Sequence, residues 1–132
     1  MAASEMHFKL LLPWRVLVDE PVLQVTAEAA DGALSIRPRH VDYAALLVPG
    51  ILSFRRAPSA EEQFAAVDRG ILVKRGAELL VSARDAVLGD ELAALEETVR
   101  TTFAERAGRE NQLQATLARL NSDFIRRLVE MD

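Results

Sequence analysis

The sequence predicts an α+β protein. We expect an all-β sandwich of eight to ten short strands at residues 1–88, followed by an antiparallel α-helical hairpin at residues 89–132. Up to Ala86 the apolar residues come in short runs, separated by turn formers about every 8 to 12 positions, a pattern typical of a sandwich or barrel. After Gly89 proline is absent, and the good helix formers Ala, Glu, Leu, Arg and Gln dominate.

In the first part, turn formers delimit the strands and apolar patterns mark them. Leu52 and Phe54 flank Ser53, an alternation that predicts a half-buried strand. At 71–73 and 79–81 both alternating sets are apolar, which predicts strands that lie between two layers. The turn signals are Pro13, Asp19-Glu20-Pro21, Asp31-Gly32, Pro49-Gly50, Pro58-Ser59, Asp68-Arg69-Gly70 and Arg75-Gly76. Together these signals predict a compact sandwich.

The second part shows helical spacing on either side of Gly108. Asp90 is placed to cap a first helix, whose apolar residues are Leu92, Leu95, Val99 and Phe103. A second helix begins near Glu110, and its apolar residues are Leu113, Leu117, Leu120, Phe124, Leu128 and Met131. Each set forms one narrow stripe. Two stripes joined by a short break predict a hairpin, whose thin core needs support from the sandwich or from another protein.

Composition narrows the class of protein. The 132 residues carry a net charge of −4 and are 50% hydrophobic, which indicates a globular protein and argues against a nucleic-acid binder. Cysteine is absent, which excludes disulfides, thiolate zinc sites and cysteine nucleophiles. The sequence shows neither the pattern of a signal peptide nor the roughly 18 uninterrupted apolar residues of a membrane span. We therefore expect a cytosolic chain that only a partner holds at a membrane.

Candidate catalytic residues are few. His40 follows Pro38-Arg39 in a predicted loop, a setting in which a histidine can act as a general base or a metal ligand. His7 is far away in the sequence, and no H-E-x-x-H motif, serine elbow or phosphate-binding glycine loop is present. The sequence thus predicts a protein with no catalytic activity, cofactor or metal. In such a protein His40 packs on the sandwich or lies at an interface.

Three motifs, in order along the chain, carry a family resemblance. Asp31 to His40 reads acidic-Gly-x-Leu-x-Ile-x-Pro-x-His, Pro49 to Leu52 reads Pro-Gly-Ile-Leu, and Val67 to Leu72 reads Val-x-x-Gly-Ile-Leu. On a chain of this size with a helical tail, they resemble the epsilon subunit of the F-type ATP synthase. The resemblance covers the sandwich well and the tail only in its pattern of helices. The stretch Phe8 to Val16 and the modified Pro38-Arg39-His40 resemble the divergent second, sodium-type F-ATPase of some bacteria.

The resemblance implies a non-catalytic rotor subunit in the central stalk, peripheral to the cytoplasmic face of the bacterial plasma membrane within the complex. The sandwich of such a subunit contacts the gamma subunit and the membrane c ring, so that rotation of the ring reaches the catalytic head. The matching residues are Asp31, Gly32 and Ala33 for the c ring and Arg37, Arg39 and His40 for gamma. Arg39 and Ser35 stand where most relatives have glycine. From the residues alone, Asp31-Gly32 is a hairpin turn.

For the tail, the resemblance implies inhibition of ATP hydrolysis. Arg119, Arg126 and Arg127 would then contact an acidic loop of the catalytic beta subunits; otherwise they are solvated charges that complement the carboxyl end of the helix. Some relatives bind ATP through an Ile/Leu-Asp-x-x-Arg-Ala motif, but Leu92 to Glu97 lacks its aspartate and arginine, so we expect no ATP binding. The alternatives are a non-enzymatic adaptor with a partner-binding hairpin and a ligand-binding sandwich.

Overall fold

The computed structural model describes residues 5–129, in which nine strands precede a long helical segment. The strands are β1 (Met6–Leu12), β2 (Arg15–Ala29), β3 (Gly32–Ile36), β4 (Tyr43–Leu47), β5 (Gly50–Arg56), β6 (Glu62–Val67), β7 (Gly70–Arg75), β8 (Glu78–Ala83) and β9 (Ala86–Gly89). This confirms the predicted sandwich of eight to ten strands.

The strands hydrogen-bond in the order β1-β8-β7-β4-β2-β5-β6-β9, with β3 beside β2 and a further pairing between β1 and β2. Strands β1 and β8 are parallel, whereas the other pairs are antiparallel. The long strand β2 belongs to both halves of the sandwich: its first part pairs with β1, and its second part pairs with β3 and β5. The turn predicted at Asp19–Pro21 is wrong: β2 continues through it, and a register shift between Val22 and Gln24 bends the strand without reversing it.

Apolar side chains from both halves meet in one core. The ring of Phe8 on β1 lies 5.3 Å from the ring of Phe54 on β5, measured between centroids. Other large apolar side chains that are almost fully buried in this core include Met6, Leu10, Val22, Val25, Ile36, Leu52, Leu72 and Leu79. Burial of this set is the main source of the sandwich's stability.

Strand β7 is buried on one side only, whereas burial on both sides was predicted. Leu72 faces the core and is inaccessible, but Ile71 and Val73 are 49% and 36% exposed. The prediction for 71–73 is therefore wrong, because no described element covers the outer side of β7. On β8, Leu79 and Val81 are buried and Leu80 is half-buried.

The tail is one continuous helical segment. It comprises α1 (Leu92–Thr98), a π-helical turn (Val99–Phe103) and α2 (Ala104–Val129). The predicted hairpin is wrong, since Gly108 lies inside α2 with open space around it. A single glycine lowers helix stability by about 1 kcal/mol, which good helix formers on both sides offset. Glu91, and not Asp90, occupies the N-cap, without a side-chain cap. Met131 lies outside the described residues.

Only the first part of this segment packs on the sandwich. Leu95 and Phe103 are buried against Ala66 of β6, and Val99 lies at the edge of the contact. A Cβ atom on Gly89 would lie 3.1 Å from Leu95 Cδ2, so this glycine permits the close approach of α1. No described residue of α2 is buried. The helix is therefore anchored at its base and exposed along the rest of its length.

Candidate partner-binding surfaces

The first predicted contact site lies at the tip of the β2–β3 hairpin. Asp31, Gly32 and Ala33 are all exposed there, and Gly32 has a φ of +123°, which side chains rarely adopt. The turn itself is held to strand β4, because Ala30 N, directly before Asp31, donates to Leu46 O at 3.0 Å. The structure thus brings the three residues together at an exposed turn that is hydrogen-bonded to β4.

The second predicted site is the loop of residues 37–42, between β3 and β4. Its first turn is closed by His40 N, which donates to Arg37 O at 2.9 Å, and both Arg37 and Arg39 are exposed. The ring of His40 lies edge-on to Tyr43 at 5.8 Å, and its Nδ1 is 2.8 Å from the carbonyl oxygen of Val41. A carbonyl only accepts, so Nδ1 carries the proton. His40 is a packed loop residue, consistent with an interface role.

The sequence reasoning missed an exposed apolar surface beside this loop. We call it the outer apolar face; it consists of Ala44, Leu46, Ile71, Val73 and Leu80. Leu46 pairs with Ile71 and Ala44 with Val73 across β4 and β7, and Val73 pairs with Leu80 across β7 and β8. Side chains of paired residues share one side of a sheet. Leu46 is 65% exposed. The sequence signal for this surface was present in β7, where residues 71–73 are apolar on both sides of the strand.

A groove continues this surface toward the helix. It has a volume of about 510 Å³ and opens to solvent. The sandwich contributes Leu46, Val48, Pro49 and Ile71 to its wall, and α2 contributes Ala107 and Asn111. The groove makes the outer apolar face and the base of the tail into one continuous surface.

Six charged residues join the base of the tail to the sandwich. This ion cluster consists of Asp68, Arg69, Arg84 and Asp85 from two neighbouring turns, with Arg106 and Glu110 from α2. Asp68 is fully buried, and its Oδ2 lies 2.9 Å from Arg84 Nε and 3.4 Å from an Arg106 nitrogen. Glu110 pairs with Arg69 and Arg84. The cluster ties α2 to the sandwich at residues 106–110.

The pKa of Arg84 shows how these charges balance. Burial disfavours its charged form, but the hydrogen bonds and charges of Asp68 and Glu110 outweigh burial and raise the pKa of Arg84 above its ordinary value. A raised pKa means that the stabilisation is complete below the pKa of the unfolded chain and is lost only above that of the folded chain. Arg84 therefore stays charged, and holds Asp68, at every pH at which proteins are normally studied.

We expect Arg84→Met to destabilise the chain by about 3 kcal/mol, because it leaves the buried Asp68 carboxylate without its nearest cationic partner. Urea unfolding followed by circular dichroism measures the change. Arg109→Met is the matched control: Arg109 is exposed, its pair with Glu105 is loose at 3.9 Å, and we expect a loss of less than about 0.5 kcal/mol. Equal losses for the two variants would contradict this account of the ion cluster.

The third predicted site lies on the free part of α2. Arg119, Arg126 and Arg127 are exposed, and none of them forms an ion pair with another residue of the range 5–129. The apolar stripe of the same helix is also exposed; it comprises Leu113, Leu117, Leu120, Phe124 and Leu128. The structure does not bring the arginines near the other predicted sites. Within residues 5–129, neither the charges nor the stripe has a partner.

Among residues 5–129, no group of three or more His, Cys, Asp and Glu side chains is arranged to hold a metal ion. No described helix is long and apolar enough to cross a membrane.

Comparison with known proteins identifies the family. The family described as "ATP synthase, Delta/Epsilon chain, beta-sandwich domain" matches residues 5–89. The chain is 30% identical over 119 residues to the ATP synthase epsilon chain 2 of Paraburkholderia xenovorans, a match that spans 89% of this chain and 85% of the relative. It is 34% identical over 117 residues to the ATP synthase epsilon chain 2 of Cereibacter sphaeroides, spanning 86% and 78% of the two chains.

Solved structures share the fold. A chain of the Euglena gracilis mitochondrial ATP synthase, from an OSCP/F1/c-ring structure, has a TM-score of 0.62 at 16% identity and covers 72% of this chain and 61% of its own length. A chain of the Tetrahymena thermophila mitochondrial ATP synthase, from a central stalk/c-ring structure, has a TM-score of 0.52 at 15% identity and covers 74% and 89%. At such low sequence identity, the structural similarity supports the fold and nothing further. Since the family match covers more than half of the sequence and agrees with both bacterial relatives, the chain belongs to the epsilon-subunit family of the F-type ATP synthase.

Proposed function

We propose that this epsilon subunit is a non-catalytic component of the central stalk, which couples rotation of the c ring to the catalytic head through gamma. In this proposal residues 1–88 form the rotor-binding domain and residues 89–132 the regulatory domain. The complex holds the chain at the cytoplasmic face of the bacterial plasma membrane. The relatives named epsilon chain 2 support assignment to the divergent second type of F-ATPase.

The outer apolar face is the observation that carries the proposal. Single exposed apolar residues are ordinary, but a contiguous apolar surface on adjacent strands is typical of a protein interface. This one adjoins the 37–42 loop, where Arg37 and Arg39 add exposed positive charge. An apolar centre with a charged rim is the usual anatomy of an interface. We therefore assign gamma binding to the outer apolar face together with Arg37, Arg39 and His40.

Coupling requires a rigid connection between the two partner sites. The hairpin tip proposed for the c ring is tied directly to β4 and the residue after it, because Ala30 N donates to Leu46 O and Val48 N donates to Glu28 O at 3.1 Å. Strand β4 also carries Leu46 of the outer apolar face. A force applied at the tip would thus pass to the gamma-binding surface through adjacent hydrogen-bonded strands, without a flexible linker.

The c-ring contact is tested by reversing the charge at the hairpin tip. We expect Asp31→Lys to leave gamma binding unchanged and to weaken association with the c ring about tenfold, the effect of a misplaced charge at an interface. Binding of the variant to purified gamma and, separately, to gamma with a c ring measures the two steps. Asp19→Lys, on the exposed part of β2, is the charge-matched control. If Asp31→Lys associates with the c ring as tightly as the unmodified chain does, the tip is not the contact.

The tail is proposed as a brake on ATP hydrolysis. Arg119, Arg126 and Arg127 lie on an exposed helix that is anchored only at its base, so they can reach a surface away from the sandwich. An acidic loop of a catalytic beta subunit has the charge that complements them. The observed extended helix supports this arrangement, because it presents the arginines far from the rotor-binding surfaces.

A further inference from the structure

Lys74 is a buried cation among the core-facing residues of β7. Lys74 lies on the inner side of β7 together with Leu72, whereas Ile71 and Val73 lie on the outer side. The residue is only 2% exposed. Lysine is almost never buried to this extent unless its ammonium group is satisfied by specific partners. Its burial therefore points to a defined task inside the sandwich.

The partners of Lys74 are carbonyl groups from two separate segments. Lys74 Nζ donates to Pro38 O at 3.1 Å and to His40 O at 3.2 Å, both in the 37–42 loop. It also donates to Gly76 O in the turn between β7 and β8. An ammonium group has three protons to donate, so these bonds use all of them. None of the described ion pairs involves Lys74.

A second link joins the same two segments on the exposed side. Gly76 N donates to Asp42 Oδ1 at 2.8 Å. The loop of residues 37–42 and the turn of residues 75–77 are thus held together by the ammonium from inside and by a carboxylate from outside. Besides the bonds that the loop makes within itself, from His40 N and His40 Nδ1, these links fix the path of the loop backbone between β3 and β4.

We propose that Lys74 is a positioning residue for partner binding: its buried ammonium holds the 37–42 loop in the shape that presents Arg37, Arg39 and His40. The identity of the partner, gamma, rests on the proposed function, whereas the effect on the loop does not. Without the ammonium, the carbonyls of Pro38 and His40 lose their donor and turn toward water. The loop then samples other shapes, and the apparent affinity falls in proportion to the fraction of molecules that keep the binding shape.

The absence of cysteine from the sequence permits a sharp test. In Lys74→Cys the new thiol is unique, and it can be alkylated in the unfolded chain before refolding. Reaction with 2-bromoethylamine restores an ammonium group at the length of lysine, and reaction with 1-bromopropane gives a neutral side chain of the same length. A role that depends only on filling space would not distinguish the two products.

Two readouts are taken on both products and on the unmodified chain: amide hydrogen exchange and affinity for purified gamma. We expect the ammonium product to match the unmodified chain within about twofold. If the neutral product keeps the loop in its binding shape about a tenth of the time, it binds gamma about tenfold more weakly. Its exchange should be faster only at residues 37–42 and 75–77. Equal affinity and equal exchange for the two products would overturn the proposal.

Asp42→Ala provides a second variant in case the neutral product fails to refold. Asp42 is exposed, so its removal spares the core, yet it breaks the outer link to Gly76 N. We expect faster exchange in the same two segments and a smaller loss of gamma affinity; unchanged exchange there would overturn the proposal. If the unmodified chain itself does not bind gamma, the proposed function fails, and the exchange data still decide the role of Lys74.

Discussion

Leu46→Glu is expected to weaken binding of the chain to gamma by roughly 10- to 100-fold, because it places an unpaired charge in an apolar interface at a cost of about 1–3 kcal/mol. Leu46 lies within the outer apolar face, beside Ile71, and is already 65% exposed in the free chain. The variant should therefore fold with nearly unchanged stability. Isothermal titration of the purified chain into gamma measures the affinity, and thermal unfolding confirms that the fold is kept.

Val87→Glu is the matched control for this substitution. Val87 is also an apolar residue on a strand, 44% exposed, but it lies on β9 at the far end of the strand order from the outer apolar face. We expect its affinity for gamma to stay within about twofold of the unmodified chain, as for a surface change outside an interface. The assignment of gamma to the outer apolar face is wrong if Leu46→Glu and Val87→Glu bind gamma equally well.

Removal of residues 112–132 is expected to raise ATP hydrolysis by the assembled complex about fivefold or more, the lower end of typical allosteric coupling. The shortened chain ends at Asn111 and retains the ion cluster and the packing of Leu95 and Phe103. The sandwich should therefore remain intact. Gamma binding should not change. Steady-state hydrolysis by complexes reconstituted with the full or shortened chain gives the comparison.

The charge on the tail is tested separately by Arg119→Gln, Arg126→Gln and Arg127→Gln in one full-length variant. If these arginines hold the tail against an acidic surface, the triple variant should release hydrolysis as the truncation does. Arg100→Gln with Arg109→Gln is the control, because both residues are exposed arginines nearer the base of the helix. Hydrolysis that stays inhibited in the triple variant would show that these charges do not act in the brake.

The sandwich was predictable because its signals are local. Turn formers at Asp31-Gly32, Pro49-Gly50 and Arg75-Gly76 bound strands in the structure as the sequence indicates. The tip of the β2–β3 hairpin follows from the same signals. The exception is Asp19–Pro21, where pairing with β1 holds β2 extended through residues that favour a turn. Pairing with the neighbouring strand outweighed the local preference for a turn there.

The tail and the partner surfaces depend on contacts between distant residues, which the sequence does not display. Gly108 marks a weak point of the helix, but the ion cluster fixes α2 on both sides of it, through Arg106 and Glu110. Those pairs join residues that are 21 to 41 positions apart, from Arg106 with Asp85 to Arg69 with Glu110. The same limit applies to Lys74, whose loop partners lie 34 and 36 positions away.

The central claim is that this chain transmits rotation between the c ring and gamma, and ATP-driven ion pumping in reconstituted vesicles tests it most directly. Complexes assembled without the chain should hydrolyse ATP but pump few ions per ATP, and addition of the purified chain should restore pumping. Asp31→Lys and Leu46→Glu should each restore less pumping than the unmodified chain at equal concentration. Pumping per ATP that is the same with and without the chain would contradict the claim.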